Sequence, residues 1–358
     1  KKAENCHKTL GFGHIARTQL AMLRQHCACI DPLSTHQQVL CMTASAASSS
    51  KGPPELPLIS KLSDRVWRIH GRNPSDFSLT GTNMYLVGTG SRRILIDAGE
   101  GRPGVLQDLV SVLSEEKCEG LSEIVLTHWH HDHLLGLPEL LQHFGPVPVR
   151  KYMPAAGTAA GERGPTHKGW VFDPVSFTKD VQIQPLEDGE TLQCQGAALQ
   201  VMYTPGHAND HVCLFLKEEG ALFTGDNVLG WGTGVFVDLQ QYLASLRRMR
   251  DSNPKRLYPA HGEVKYQSEA GPWMQMYVTH REQRIQQVVE ALQGKERGNA
   301  LSVEDVVAEV YKDDERVFSN QVLHMAACRN TALVLGYLVK ERVCQAVGDR
   351  FAFLQAAL

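Results

Sequence analysis

The residues between positions 128 and 133 have the types and spacing of a metal-binding loop. They read His-Trp-His-His-Asp-His, which places four metal-type side chains in the pattern H-x-H-x-D-H. Imidazole nitrogens and carboxylate oxygens suit a divalent transition metal, zinc above all. A solvated turn of polar residues would not account for three histidines at these offsets. The loop therefore predicts metal-dependent chemistry.

Three later segments each offer one further ligand. The runs Tyr-Thr-Pro-Gly-His, Leu-Phe-Thr-Gly-Asp and Leu-Tyr-Pro-Ala-His end at His207, Asp226 and His261, and each follows an apolar run typical of a strand. Glycine or proline lies next to or close before each ligand, which lets the backbone turn sharply there. One such residue is a weak signal, because most are ordinary core or surface residues. Four segments in this order indicate one shared site.

In this combination the chain resembles the metallo-beta-lactamase superfamily over roughly residues 62–280. The resemblance implies two zinc ions per chain, although manganese and iron also tolerate such ligands. It implies that Asp226 bridges the ions and that Asp132 and Asp226 are the catalytic carboxylates. One ion would be held by His128, His130 and His207, and the other by Asp132, His133 and His261.

Shorter stretches narrow the resemblance to two branches of that family. Residues 80–87, 94–99, 225–233 and 258–262 are similar to the mitochondrial beta-lactamase-like endoribonuclease. They are about equally similar to the fungal beta-lactamase-like thioesterases that release polyketides from a carrier protein. The sequence does not separate the two branches.

The metal chemistry leaves the same choice open. Two divalent metals about 3.5–4 Å apart can hold a hydroxide between them and polarise the electrophile's oxygen, whether it is carbonyl or phosphoryl. The leading prediction is a dinuclear zinc-dependent endoribonuclease that cuts single-stranded RNA through this bridging hydroxide. The alternative is a thioesterase that removes acyl groups from a carrier protein or another thioester.

Several neighbouring residues invite secondary roles. Asp97 either orients a metal-bound histidine or caps the next helix, and Thr127 could hydrogen-bond the same network. His211 is expected to be a buried hydrogen-bonding residue, and His131 to be exposed. Residues 280–281, a histidine and an arginine, are expected on a solvated helix face, with substrate contact as the alternative.

Two long loops are candidates for substrate contact, residues 71–80 and 145–179. The second interleaves bases with aromatic residues, which suits single-stranded nucleic acid through phosphate pairing and base stacking. An ordinary solvated loop is the alternative. The basic and aromatic residues concerned are Arg150, Lys151, Tyr152, Arg163, His167, Lys168, Trp170, Phe172 and Lys179.

The pattern of elements predicts an α+β fold, with every ligand at the end of a strand. Amphipathic helices outside two facing sheets would make a layered sandwich, and the family resemblance implies the four-layer αββα order. Strands are expected at 66–70, 84–88, 93–97, 124–127, 190–194, 198–202, 211–216, 221–224 and 256–258, and helices at 104–113, 134–143, 239–249 and 277–292.

Three segments are predicted along the chain. Residues 59–295 form the metallo-beta-lactamase domain. Residues 296–358 form a C-terminal module, in which Ser302 caps a helix, a further helical stretch covers 320–339 and a hairpin covers 343–353. Helices followed by a hairpin resemble a winged helix, with a plain helical cap as the alternative. The module has more acids than bases, which favours packing or dimerisation over nucleic-acid reading.

Residues 1–58 read as a disordered or transit-like leader, because they are poor in acids and contain Arg and Ser. This predicts the mitochondrial matrix, with the cytoplasm as the alternative. Because the chain begins at Lys1, the stretch could equally be a fragment or translated upstream sequence, with Met42 as the true start.

Composition excludes some classes of protein. A formal net charge of −3 over 358 residues gives no global preference for a polyanion. The 9 cysteines follow no disulfide framework, and no apolar run approaches the roughly 20 residues of a membrane helix. The predicted partners are therefore single-stranded RNA or an acyl-thioester substrate and no membrane, with a homo-oligomer left open.

Overall fold

The structure is a computed structural model that describes residues 54–75, 78–154, 181–294 and 300–354. The predicted leader lies outside these ranges except for residues 54–58, so its role and the location it implies stay predictions. Most of the loop at 145–179 also lies outside them.

The first sheet has seven strands in chain order, β1 to β7. The first four strands pair antiparallel, and β4 to β7 pair parallel. One helix joins β4 to β5, and two helices join β5 to β6. The elements are β1 (Ile59–Lys61), β2 (Val66–His70), β3 (Asn83–Val87), β4 (Arg92–Ile96), α1 (Val105–Glu115), β5 (Gly120–Leu126), α2 (His131–Leu134), α3 (Leu137–Phe144), β6 (Val149–Tyr152) and β7 (Ile183–Leu186).

The second sheet has five strands in the order β12-β11-β10-β9-β8. Only β11 and β12 pair parallel, and helix α4 joins them. The elements are β8 (Thr191–Cys194), β9 (Ala197–Tyr203), β10 (Val212–Leu216), β11 (Ala221–Gly225), α4 (Leu239–Asp251), β12 (Arg256–Pro259), α5 (Gln267–Gln293), α6 (Val303–Val310), α7 (Glu315–Ser319), α8 (Gln321–Lys340), β13 (Cys344–Val347) and β14 (Arg350–Phe353).

Alternation along the strands divides the core into layers. In β4, Ile94 and Ile96 belong to the buried cluster between the sheets, whereas Leu95 packs outward against α1 and α3. In the second sheet, Leu222 packs outward against α4 and α5. Because successive strand side chains point to opposite faces, each sheet buries both faces. The result is the predicted αββα sandwich.

The ligand segments meet because their strands end at one rim. The segments that follow β5, β9, β11 and β12 lead to 128–133, His207, Asp226 and His261. The two sheets are tied together at this rim, where the Asn83 amide donates to the Ala260 carbonyl at 2.6 Å. The order of the strands in the sheets therefore brings together residues that are more than a hundred positions apart in the sequence.

Three predicted elements were wrong in extent. The helix expected at 134–143 is two helices that break at Gly136, where any Cβ would collide with the Ala98 carbonyl oxygen. The helix expected from 277 begins at Gln267 and contains Pro272, which reads as a breaker in sequence. Residues 149–152 form a strand rather than part of an irregular loop, because they pair parallel with β5.

The C-terminal elements follow the prediction. The Ser302 hydroxyl accepts from the Asp305 amide at 3.1 Å, and the Asp305 carboxylate accepts from the Ser302 amide at 2.9 Å. This reciprocal capping box starts α6. Val334 and Leu335 of α8 join the same apolar cluster as α5. The boundary proposed at residue 295 stays a prediction. Among the described residues no helix has the length and apolar character needed to span a membrane.

Candidate metal centre

The seven predicted ligands lie together at the rim as two groups of donor atoms. The atoms within each group lie within 4.8 Å of one another. We call these seven side chains the metal centre. One group contains His128, His130, His207 and Asp226, and the other contains Asp132, His133 and His261.

Asp226 faces both groups with its two carboxylate oxygens. Its Oδ2 lies 3.5 Å from His207 Nε2 and 3.8 Å from His128 Nε2. Its Oδ1 lies 3.4 Å from His133 Nε2 and 3.3 Å from His261 Nε2. A carboxylate can do this because it has two oxygens, whereas an imidazole offers one lone pair. If each donor group held a cation, Asp226 would be the residue that both cations share.

Four histidines are held by the ring nitrogen that points away from the centre. The Nδ1 atoms of His133, His207 and His261 lie 2.8 Å from Asp97 Oδ2, 2.8 Å from the Val235 carbonyl and 3.1 Å from the Gly81 carbonyl, respectively. His128 Nδ1 lies 3.0 Å from Thr127 Oγ1. Carbonyl and carboxylate oxygens only accept, and the Thr127 hydroxyl donates its one proton to Asp97. Nδ1 of each histidine therefore carries a proton, and Nε2 is the nitrogen that faces the metal centre.

The atoms that face the metal centre include more hydrogen-bond acceptors than donors. Such a set of atoms suits the binding of a cation. The Nε2 atoms of His128 and His207 each lie 2.9 Å from His130 Nδ1, yet neither carries a proton to share. Among the residues that the structure describes, the buried His133 Nε2 and Asp226 Oδ1 have no hydrogen-bond partner. Buried polar atoms are rarely left so, and a divalent metal would satisfy lone pairs that no donor reaches.

The charges lead to the same conclusion. Burial lowers the pKa of His130 to about 3, with His207 acting in the same direction. Burial opposes protonation of His261, but Asp226 and Asp132 outweigh it and raise its pKa to about 10. Although burial favours the neutral acid, His261 and His133 hold the pKa of Asp226 well below its usual range. Imidazole must be neutral to ligate, so bound metal would replace these protons as the source of positive charge.

Asp97 positions this network and does not cap a helix. Its Oδ1 accepts from the Thr127 amide at 2.8 Å, and Thr127 Oγ1 donates to the same carboxylate at 3.0 Å. Asp97 is buried and has a φ of 62°, a left-handed conformation that Asp tolerates better than most residues. Helix α1 instead begins after Gly104, whose lack of a side chain leaves no cap hydrogen bond.

Other residues hold the carboxylates. The Thr82 hydroxyl donates to Asp132 Oδ2 at 2.7 Å, and Asn73 supports Thr82 with two hydrogen bonds. His211 is buried and accepts from the Asp226 amide at 3.1 Å, as its expected structural role requires. Sequence reasoning assigned no role to Thr82 or Asn73. The signals in the sequence were that Thr82 lies within the stretch 80–87 and Asn73 within the candidate loop 71–80.

The expectation for the residues around position 280 was wrong. Arg281 is buried rather than solvated, and its Nη2 donates to the Gly234 carbonyl at 2.6 Å. His280 is partly buried on the same helix. This face of the helix contacts the segment 232–236, whose Val235 carbonyl accepts from His207 of the metal centre. His131, in contrast, is exposed as expected.

Two bases of the second candidate loop are already paired. Arg150 lies 2.5 Å from Glu190, and buried Lys151 forms an ion pair with Asp210. Neither is therefore free to pair with a substrate phosphate. The remaining basic and aromatic residues of that loop, apart from Tyr152, lie outside the described residues. Tyr152 stacks on Tyr203 with ring centroids 4.1 Å apart.

Comparison with known proteins identifies the class. The model of the metallo-beta-lactamase superfamily matches residues 78–261. The chain is 37% identical over 311 residues to a beta-lactamase-like protein 2 homolog of Drosophila melanogaster, covering 84% of this chain and 97% of that protein. It is 38% identical over 265 residues to the lactamase-like protein aptB of Emericella nidulans, covering 72% and 77%.

Solved structures agree on the fold. A metallo-beta-lactamase family protein from Thermus thermophilus superposes with a TM-score of 0.60 at 21% identity, covering 82% of this chain and 100% of that one. A beta-lactamase domain protein from Burkholderia ambifaria gives 0.62 at 18% identity, covering 86% and 98%. The chain belongs to the metallo-beta-lactamase superfamily. It is a hydrolase-type member with a His/Asp site for divalent metal.

Proposed function

We propose that this protein is a dinuclear zinc hydrolase that cuts phosphodiester bonds in single-stranded RNA. His128, His130 and His207 would hold one ion, and Asp132, His133 and His261 the other, with Asp226 between them. When bound, such cations activate water as a nucleophile at neutral pH and polarise the oxygen of the reacting group. The observation that carries the proposal is the convergence of the Nε2 atoms of four histidines on the Asp226 carboxylate. These histidines are His128, His133, His207 and His261.

The protein's own contribution is to fix these donors before substrate arrives. Hydrogen bonds to Nδ1 leave Nε2 of each imidazole facing the metal centre. Their acceptors are Asp97, Thr127 and the carbonyls of Val235 and Gly81. Because Thr82 and His211 hold Asp132 and the Asp226 backbone, respectively, the carboxylates also need little reorganisation. A preorganised set of charges stabilises a transition state without a rearrangement at the moment of reaction.

The choice of RNA has two supports. The first is the resemblance of residues 80–87, 94–99, 225–233 and 258–262 to the endoribonuclease branch of the family. The second is that Arg281 and Arg284 lie next to the segment 232–236 and form no ion pair with a described residue. Unpaired arginines beside a hydrolytic centre favour a substrate that carries several phosphates.

A thioesterase is the second candidate. It is favoured by the resemblance of the same stretches to the fungal thioesterase branch, and fungal lactamase-like proteins match this chain at up to 42% identity. The metal centre does not decide between the two, because a carbonyl oxygen can be polarised as a phosphoryl oxygen can.

Parallel assays on zinc-loaded protein test the proposal. We expect cleavage of a labelled single-stranded RNA at a rate far above that of an acyl-thioester. His128→Ala should abolish the cleavage, whereas His131→Ala, a change of an exposed neighbour in the same loop, should retain it. Hydrolysis of the thioester alone would reject the RNA assignment in favour of the second candidate. Equal RNA cleavage by the His128→Ala variant would show that a contaminating nuclease is responsible.

A further inference from the structure

A cavity of about 190 Å³ lies between the segment 232–236, helix α5 and the C-terminal helices. We call it the basic cavity. It is smaller than the roughly 300–1,000 Å³ of sites that enclose a whole small ligand, so it fits one group of a larger substrate. The residues that matter in its lining are Thr233, Phe236, His280, Arg281, Arg284 and Asn330.

The basic cavity concentrates positive charge without a carboxylate. His280 and Arg284 lie four residues apart on α5 and so share one face of the helix, with Arg281 beside them. No acidic residue is among those that line it. A second cavity, of about 310 Å³, differs in this respect, because it is lined by Glu290, Glu309 and Asp313. The two cavities therefore differ in the charge of their lining as well as in volume.

Both guanidinium groups keep unused hydrogen-bonding capacity within the described residues. Arg281 is 5% exposed, and its Nε is buried without a partner. Its positive charge rests on the faces of Phe236 and Tyr242, 4.9 Å and 5.5 Å from the ring centroids. Arg284 stacks over Tyr311 at 4.1 Å. Aromatic faces attract a cation but accept none of its N–H groups in the way a carboxylate or phosphate does.

Two arginines held close together without an anion are energetically unfavourable, and a bound anion would offset this. Burial lowers the pKa of Arg284, and the neighbouring Arg281 acts in the same direction, whereas Tyr311 and Asp314 oppose this lowering only in part. Charges buried without a partner of opposite sign are strongly unfavourable. The planar guanidinium of arginine can donate two parallel hydrogen bonds to the oxygens of a phosphate. A bound phosphate would therefore offset the unfavourable burial of positive charge on both side chains.

The segment 232–236 connects the basic cavity to the metal centre. Thr233 and Phe236 line the cavity, while the Val235 carbonyl between them accepts from His207 at 2.8 Å. Gly234 packs so closely on the centre that a Cβ there would lie 2.8 Å from the Asp226 carbonyl oxygen. One short stretch of backbone thus touches both regions, and an extended substrate could occupy both.

We propose that the basic cavity binds a substrate phosphate outside the reacting group, with Arg284 as its main ligand and Arg281 adding charge. The inference rests on the proposed function for the identity of the reaction. In RNA this phosphate is the next one along the strand. A phosphopantetheine arm would offer the same chemistry from another source, and the experiment separates the two.

The test compares substrates with and without a second phosphate. In Arg284→Gln, kcat/KM for a single-stranded oligoribonucleotide should fall about tenfold, mainly through KM, because a phosphate contact of 1–2 kcal/mol is lost. Turnover of bis(4-nitrophenyl) phosphate, which has no second phosphate, should stay within twofold. Arg284→Lys should recover part of the loss, and Arg250→Gln, a change of a surface arginine on α4, should behave as wild type.

Salt gives a second readout that a structural role would not change. The slope of log kcat/KM against log salt concentration for the oligoribonucleotide should become shallower by about 0.7 in Arg284→Gln, the amount expected for one phosphate contact on a single strand. An unchanged slope, or equal losses with both substrates, would overturn the proposal. Equal losses would mean that Arg284 acts through the metal centre instead.

Failure of the proposed function gives a different pattern. If the protein cleaves only thioesters, the same comparison uses acyl-coenzyme A against an acyl-N-acetylcysteamine, and Arg284→Gln should impair only the phosphate-bearing substrate. If neither class is cleaved, thermal unfolding of zinc-loaded protein with inorganic phosphate replaces turnover. The stabilisation by phosphate should then be smaller in Arg284→Gln than in Arg250→Gln, and equal stabilisation would reject the cavity as a phosphate site.

Discussion

The metal centre and the basic cavity share the segment 232–236, and they differ in how completely protein groups satisfy their polar atoms. In the metal centre, four imidazoles are held from outside by hydrogen bonds, and only the inward atoms lack partners. In the basic cavity, Arg281 holds the Gly234 carbonyl with one nitrogen and leaves its Nε without a partner. The metal centre holds several ligand atoms in fixed positions, whereas the basic cavity exposes the positive charge of its arginines to a ligand.

The difference indicates different sensitivities to substitution. A centre with many mutual contacts should fail when one member is lost, because each donor positions the next. A cavity that presents charge should lose affinity by degrees. Substitutions in the two regions therefore test the comparison, and their expected effects decrease from the bridging carboxylate outward.

Asp226→Ala should have the largest effect. Loss of the carboxylate between the two donor groups removes a ligand from both, so bound metal and turnover should fall together. Since metal ions supply several kcal/mol of transition-state stabilisation, the fall in kcat should reach about a thousandfold or more. Metal content by atomic emission and RNA turnover measure it, with His131→Ala as the exposed control from the same loop. Full metal content with normal turnover would contradict the role of Asp226.

Asp97→Asn should weaken metal binding without removing a ligand. Asn tolerates the left-handed φ of 62° at this position, so the backbone should persist. The amide cannot accept from both Thr127 and His133 as a carboxylate does, and the orientation of His133 should loosen. Loss of such a partner typically costs 10–100-fold in metal affinity.

Chelator competition measures the zinc affinity of the Asp97→Asn variant. Asp108→Asn is the matched control, because Asp108 pairs with Arg72 at 2.7 Å away from the ligands. Unchanged zinc affinity in Asp97→Asn would show that His133 is positioned by packing alone. The comparison between the two regions would then lose its main support.

His280→Gln should have the smallest effect and tests the environment of the basic cavity. Burial lowers the pKa of His280 to about 4, and Arg281 and Arg284 act in the same direction. This folded value lies below the unfolded value of 6.5, so the stabilisation is present above pH 6.5 and is lost as the pH falls toward 4. Between pH 6.5 and 4, the free energy of unfolding should fall in both proteins. The fall should be about 2 kcal/mol smaller in His280→Gln than in wild type.

Chemical denaturation at a series of pH values measures this difference for His280. The histidines of the metal centre titrate in both proteins, so their contributions cancel in the comparison. His143→Gln, a change of an exposed histidine on α3, should follow wild type. A parallel pH dependence of wild type and His280→Gln would mean that water reaches His280 freely and that the cavity is less enclosed than its lining indicates.

Much of the fold followed from pattern. Alternating apolar residues gave most strands of the first and second sheets, and the spacing around Leu109 and Leu243 gave helices α1 and α4. The failures have identifiable causes. Gly136 breaks a helix because the Ala98 carbonyl occupies the space of a side chain. The helix expected from 277 begins earlier, at Gln267, and contains Pro272 near its start, where Ala270 and Met274 pack in the apolar cluster outside the second sheet.

Strand β6 shows a second kind of failure. Its sequence Val-Arg-Lys-Tyr carries two bases and has prolines before it, so local preference alone did not indicate a strand. The bases are neutralised by Glu190 and Asp210, which come from distant parts of the chain. Such pairing is decided by tertiary contact, and no local window contains it.

The amino-acid sequence by itself determined which atoms could bind metal, because the imidazoles and carboxylates recur after strands in an order that resembles one family. Only the tertiary structure decided which imidazole nitrogen faces the metal centre. Asp97, Val235 and Gly81 accept hydrogen bonds from the other nitrogen, and they are distant from these histidines in the sequence. It also decided that Arg281 is buried, because a helix pattern indicates one apolar face but not which polar residues a neighbouring loop will cover. Hydrogen bonds and charge pairs act between residues that are close in space, and closeness in space is what one-dimensional spacing leaves unspecified.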